Sequence, residues 1–277
     1  MVHRFPFGLT RRLWVTTVVA GLACAPEQPV TWQAEQRADG IIAPGAVVRL
    51  EDGGIPTVQL PPPPLRWPDD SAACPNTWAV ASAGGDSVIA AWWSAAARGE
   101  PVLRSAWSAN GGIDWGDPVT IGVAAPSSGG CRRAPPGVNV DAGTGSALAV
   151  YDGQVGDSAG VALVRGLKAG REPRPAQLIV SGRGSGRAAV AAAGDTAVVA
   201  YEFTDANGNA IWLAISLGSD HIPVVIGAVN GGGNSPFAPI VAVRNGQVAV
   251  AWNEARRGSD GPFVVVRVGR LNPGVPH

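Results

Sequence analysis

Val88-Ile89-Ala90-Ala91-Trp92 is a short apolar run that ends in an aromatic residue, and the chain writes it four times. The other copies are Ala147-Leu148-Ala149-Val150-Tyr151, Ala197-Val198-Val199-Ala200-Tyr201 and Val248-Ala249-Val250-Ala251-Trp252. Their aromatic ends, at 92, 151, 201 and 252, lie 59, 50 and 51 residues apart. A period of this size marks a supersecondary unit that cannot bury its apolar face alone and stacks on copies of itself. Each run is bounded as a strand is bounded. Before it comes an apolar segment and a tight turn: Gly84-Gly85-Asp86, Gly143-Thr144-Gly145, Gly194-Asp195 and Asn245-Gly246. After it come a polar loop and a further strand, at 102–107, 161–165, 210–216 and 263–268. A fourth strand closes the first three copies, at 118–121, 176–180 and 223–226, whereas the last copy runs out at His277 without one.

The pattern predicts an all-β chain, a β-propeller of four-stranded antiparallel blades, with repeats over about 78–122, 137–181, 187–227 and 237–277. Nothing in it has a capped helical period. Ile55-Pro56-Thr57-Val58-Gln59-Leu60 has the composition of the closing strands, so an N-terminal strand is expected to complete the last blade. Four blades follow, with a fifth, degenerate blade around 41–77 as the alternative. The folded domain is expected to span 46–277.

Within the first repeat, Ser108-Ala109-Asn110-Gly111-Gly112-Ile113-Asp114-Trp115 reads as a strand end, a polar turn and an aromatic plug. Ser108 and Asn110 can bond the main chain of their own turn, and the two glycines permit positive φ. The stretch resembles the Asp-box, Ser-x-Asp-x-Gly-x-x-Trp, of sialidase-type (BNR-repeat) β-propellers, with Ser108, Asn110, Gly112 and Trp115 in the four motif places and Asn110 where that family has Asp. The resemblance implies a structural turn between the third and fourth strands of a blade, not a reaction. Leu65-Arg66-Trp67-Pro68 is similar to the Phe/Tyr-Arg-Ile-Pro motif that carries the first of three carboxylate-binding arginines in the family's enzymes, which implies a binding role for Arg66. The remaining machinery of those enzymes does not assemble. No Asp stands between Trp92 and Val102 to act as acid/base, and Tyr151 and Tyr201, the two tyrosines, occupy the repeated strand end that Trp92 and Trp252 also fill. No catalytic residue is assigned.

The N-terminus reads as an export signal over residues 1–23: His3, Arg4, Arg11 and Arg12, then an apolar run too short to span a bilayer. Gly21-Leu22-Ala23-Cys24 resembles a bacterial lipobox, which implies lipidation of Cys24 and a membrane anchor; ordinary signal-peptidase cleavage is the alternative. Residues 24–45 are expected to be a flexible tether, and Pro61-Pro62-Pro63-Pro64 an extended spacer. Lipidation would leave two cysteines, Cys74 and Cys131, both in Ser/Gly/Pro-rich loops, to pair as a disulfide outside the cytoplasm; two free thiols are the alternative.

Formal charge is zero over the whole chain, and removal of residues 1–23 leaves 18 basic against 21 acidic residues, so nothing attracts nucleic acid. No cofactor or metal motif appears. In a four-stranded meander the turns after the first and third strands share one face, and the other loops share the opposite one. That second face collects Arg66, Arg98, Arg132 and Arg256 with Glu202 and Asp205, the candidate binding residues, on loops where binding groups commonly sit. The expected function is an exported, non-catalytic module that binds a glycan or an envelope protein, of unassigned oligomeric state. The rival is a sialidase-like exo-glycosidase of acidic sugars. An enzyme should gather Arg66 and two further arginines around one pocket with a carboxylate pair, and a scaffold should scatter them.

Overall fold

The computed structural model describes residues 29–272 apart from 52–53, 61–63, 65, 85, 127–129, 142, 183–184, 206–207, 219–221, 231–234 and 256–260. The export signal, Cys24, most of the polyproline run and Arg256 lie outside the described residues.

Among the described residues every regular element is a strand. Three complete meanders run β5 (Ala79–Gly84), β6 (Ser87–Ser94), β7 (Val102–Ser108) and β8 (Val119–Ala124); β9 (Gly137–Asp141), β10 (Ser146–Val155), β11 (Ser158–Leu167) and β12 (Gln177–Ser181); and β13 (Ser185–Ala193), β14 (Thr196–Asp205), β15 (Gly208–Leu217) and β16 (Val224–Ala228). A fourth runs β17 (Ser235–Arg244), β18 (Gln247–Ala255) and β19 (Phe263–Leu271). The recurring Ala/Val runs are the second strands, buried on both faces because small β-branched and Ala side chains let neighbouring sheets approach closely. The end of β8 also pairs with β10, Ala124 opposite Gly153, which joins the first two meanders into one eight-stranded sheet.

Alternate residues of each second strand feed different cores. Ile89 and Trp93 pack with Tyr151 and Val164 between the first and second meanders. Leu148 and Val150 pack with Val199 and Tyr201 between the second and third, and Val198 and Ala200 pack with Val250 and Trp252 between the third and fourth. Period-two alternation thus becomes stacking of sheet on sheet, a propeller-like all-β fold.

The N-terminal expectations need two corrections. Residues 30–39 are not a tether: β1 (Val30–Trp32) and β2 (Gln36–Asp39) pair antiparallel with the outer edge of β19. Val30 is 1% exposed in the core, so three residues too short to show a period are held by burial and by an edge that needs a partner. The second correction concerns residues 55–60. They do not close the last meander, because β4 (Pro56–Gln59) folds straight back on β3 (Val47–Leu50). The turn fixes this locally: the Glu51 amide donates to Ile55 O, the Gly54 amide to Glu51 O, and Thr57 Oγ1 to the Glu51 carboxylate. The β3–β4 ribbon then lays Val48 and Leu50 on Ala242, Ala249 and Val268 of the fourth meander.

The Ser108–Trp115 turn holds the geometry its residues imply. Ser108 Oγ donates to Asn110 Oδ1 and accepts from the Gly112 amide at 2.8 Å, while Asn110 Oδ1 accepts from the Asp114 amide. Gly111 and Gly112 have φ of 69° and 86°. The Gly111 amide reaches Asp86 O in the β5–β6 turn, and Gly218 reaches Asp195 O in the equivalent place of the third meander, so these turns do share a face.

Candidate functional site

The crossover ends of β5, β9, β13 and β17 converge with residues 42–48 around a cavity of ≈ 130 Å³. Its wall is mostly small and apolar; Trp78, Asn139 and Arg187 supply its aromatic surface, amide and charge. Gly137 allows this convergence. A Cβ there would sit 2.5 Å from Ala188 O, so any larger residue would push β9 away from β13. Trp78 stacks on Trp92 at 4.5 Å between ring centroids, and Trp67 tilts against Trp78 at 5.0 Å. Trp67 is 46% exposed and extends this aromatic surface beyond the cavity into solvent. Asp70 braces the cluster, accepting from Trp92 Nε1 at 2.7 Å and facing Arg104 at 3.5 Å. Burial works to raise its carboxyl pKa, but the hydrogen bonds from Trp92 and the Ala72 amide, with the Arg104 charge, leave it below the usual carboxylate range.

Of the residues the sequence nominated, Arg66 and Glu202 are held by main-chain contacts and Arg256 lies outside the described residues. Arg66 belongs to the other face: its amide donates to Gly112 O and its carbonyl accepts from Trp115 Nε1, so the Asp-box turn itself holds it. Sequence sorting missed this because the segment from Arg66 to Cys74 crosses the edge of the meander from one face to the other. Arg98 and Arg132 are exposed. Asp205 ends β14 in its hairpin turn.

Glu202 is a stitch. One carboxylate oxygen accepts from the Ala238 amide at 2.6 Å and the other from the Arg187 amide at 3.1 Å, tying β14 to the entries of β13 and β17. The same repeat position does this elsewhere. Trp93 Nε1 donates to Ala134 O ahead of β9, and Asn253 exchanges bonds with the main chain of Ile42 ahead of β3. The signal was in the alignment of the copies: the residue after each aromatic end is polar or has a polar handle, Trp93, Asp152, Glu202 and Asn253, as a shared structural task requires.

Cys74 and Cys131 are joined as a disulfide, with Cα atoms 5.2 Å apart. Tyr151 and Tyr201 are 2% and 0% exposed, and burial pushes both phenols up to about 12. That environment suits packing and not nucleophilic attack. Among the described residues no group of three His, Cys, Asp or Glu could hold a metal ion.

No family model and no curated sequence matches the chain. Solved structures do resemble it in part. A GH43_12 protein retrieved from a capybara gut metagenome is 15% identical, with 71% of this chain and 40% of that one covered at a TM-score of 0.44. A xylan β-1,4-xylosidase from Bacillus halodurans C-125 is 12% identical, with 68% and 40% covered at 0.40. An α-L-arabinofuranosidase from Clostridium thermocellum ATCC 27405 is 13% identical, with 67% and 70% covered at 0.41. The chain spans two fifths of the length of the first two.

Proposed function

We propose that the chain is an exported, non-catalytic binding module, a propeller relative of the Asp-box type, that holds a neutral glycan across the mouth of the axial cavity. Stacked tryptophans beside a small polar-spotted cavity suit a sugar ring, whose apolar face lies on an aromatic plane while its hydroxyls meet an arginine and an amide. The observation that carries the reading is the charge inventory of the cavity. Among the described residues that line it Arg187 alone carries a charge, and Glu202, which bonds two residues of its wall, has both oxygens engaged by the main-chain amides of Ala238 and Arg187. Glycoside hydrolysis by the usual route needs two carboxylates facing a common space. In this reading β3–β4 is a reduced fifth blade, since Asn253 treats Ile42 as its counterparts treat the entry of the next sheet. Export and lipidation at Cys24 complete it; an oxidising compartment agrees with the Cys74–Cys131 bridge.

The test is calorimetric binding of neutral xylo-, arabino- and manno-oligosaccharides alongside a reducing-sugar assay. Binding that Trp67→Ala weakens, without turnover, supports the proposal. Turnover of any of these sugars, or binding indifferent to Trp67→Ala and Arg187→Ala, overturns it.

A further inference from the structure

A larger and far more charged cavity lies on the opposite face, where the turns of the second and third meanders meet. It measures ≈ 350 Å³, within the range of small-molecule sites. Arg165 near the end of β11, Lys168, Arg171 and Arg174 on the loop to β12, and the Gly194-Asp195 turn of the third meander line it. Lys168 is the single lysine of the chain.

Arg165 is buried, 8% exposed. Its guanidinium donates to two main-chain carbonyls, Asp195 O at 3.1 Å and Ser216 O at 2.7 Å, while Nε has no hydrogen-bond partner. The Asp195 carboxylate acts on it electrostatically without closing to an ion pair, and Arg174 adds a like charge. Burial, then Arg174, push its pKa down. Three other low-exposure charges among the described residues are answered by a partner of opposite sign: Glu254 by Arg37, Arg133 by Glu100 and Asp70 by Arg104. Of the acids lining the cavity, Asp195 acts on Arg165 only from a distance, and none closes to an ion pair with it. Asp141 is spent on the Gly143 amide and Thr144 Oγ1, and Glu172 is exposed. A desolvated guanidinium touched only by carbonyl dipoles, with Asp195 and Arg174 acting on it from a distance in opposite senses and no carboxylate in contact, has a place for the counter-charge that an anion in the cavity would supply.

We infer that this cleft is an oxyanion site, taking the phosphate, sulfate or carboxylate group of a ligand, with Arg165 as the buried source of positive potential and Lys168 and Arg171 as its direct contacts. The site is independent of the axial cavity and stands or falls without it. Its walls join two meanders, so an occupied site would also brace the interface between them.

The experiment is titration of the purified protein with sodium sulfate, sodium phosphate, trigalacturonate and uncharged maltotriose at fixed ionic strength, read by calorimetry and by Tm. The wild type is compared with a Lys168→Ala/Arg171→Ala double variant and with Arg165→Gln. Arg171 is exposed and Lys168 half-buried at the cavity wall, so the double variant should keep most of the unliganded Tm. Saturable binding of an anion, weakened about tenfold or more in the double variant, supports the site; maltotriose should not compete. Inorganic anions binding alone would mark a free-ion site, and trigalacturonate binding alone a glycan-borne carboxylate. No saturable binding of any anion, or equal affinity in the double variant, overturns the proposal, even if Arg165→Gln fails to fold.

Discussion

Removal of the Cys74–Cys131 cross-link should weaken the fold by an amount that its loop length sets. The bridge closes a separation of 57 residues, from the approach to β5 to the approach to β9. Chain-entropy bookkeeping gives about 4 kcal/mol for a loop of that size. The native side of the balance is well isolated. The Cys74 amide donates to Trp93 O at 2.7 Å, Thr77 Oγ1 donates to Cys74 O at 2.8 Å, and neither bond involves the sulfur. Ala at both positions therefore removes the cross-link and leaves those anchors in place. With a urea slope of about 2–3 kcal/mol/M, the unfolding midpoint should fall by roughly 1.5–2 M. The assay is urea unfolding followed by tryptophan fluorescence in a Cys24→Ser background, comparing the intact pair, the reduced protein and Cys74→Ala/Cys131→Ala. Reduced and doubly substituted proteins should coincide. A midpoint shift below about 0.4 M, or two titratable thiols in the unreduced, denatured chain, would refute the reasoning.

Glu202→Ala leaves the amides of Arg187 and Ala238 without their acceptor and should cost about 2–4 kcal/mol in urea unfolding; Glu202→Gln, which keeps one carbonyl oxygen, should cost less than half of that. Asn110→Asp brings the turn closer to the Ser-x-Asp-x-Gly-x-x-Trp pattern it resembles yet should destabilise by about 0.5–1 kcal/mol at neutral pH, because Asn110 Nδ2 donates to the Asp114 carboxylate at 2.9 Å and a second carboxylate there would repel it. Adding Asp114→Asn should abolish that loss, and a stabilised Asn110→Asp single variant would contradict the account. Neither tyrosine should ionise near pH 10 while the protein is folded, as both buried phenols are pushed up to about 12. The unfolded chain ionises first, so their contribution is complete below about pH 10 and declines by about 1.4 kcal/mol per pH unit per tyrosine as pH rises toward 12. Absorbance at 295 nm followed with circular dichroism checks this: phenolate should appear only together with loss of structure.

The sequence by itself determined the repeat, the strand order within each meander and the turn chemistry, because these are local. Period-two alternation selects strands, an aromatic end marks where each second strand meets its loop, and Ser108, Asn110 and the glycines between them satisfy their own turn without help from the rest of the chain. Only the tertiary structure decided what is long-range. Residues 30–39 look like a tether until the free edge of β19 is present to pair with them, and residues 55–60 look like a closing strand until the Glu51–Ile55 turn folds them onto β3. Arg66 looks like a ligand arginine until its main chain is found on the Asp-box. Glu202 looks like a ligand-binding carboxylate in sequence, and is a stitch because Ala238, 36 residues away, presents an amide to it. The cationic cleft around Arg165 was illegible for the same reason. Its charges come from one loop and its depth from the carbonyls of another meander, and sequence records the first without the second.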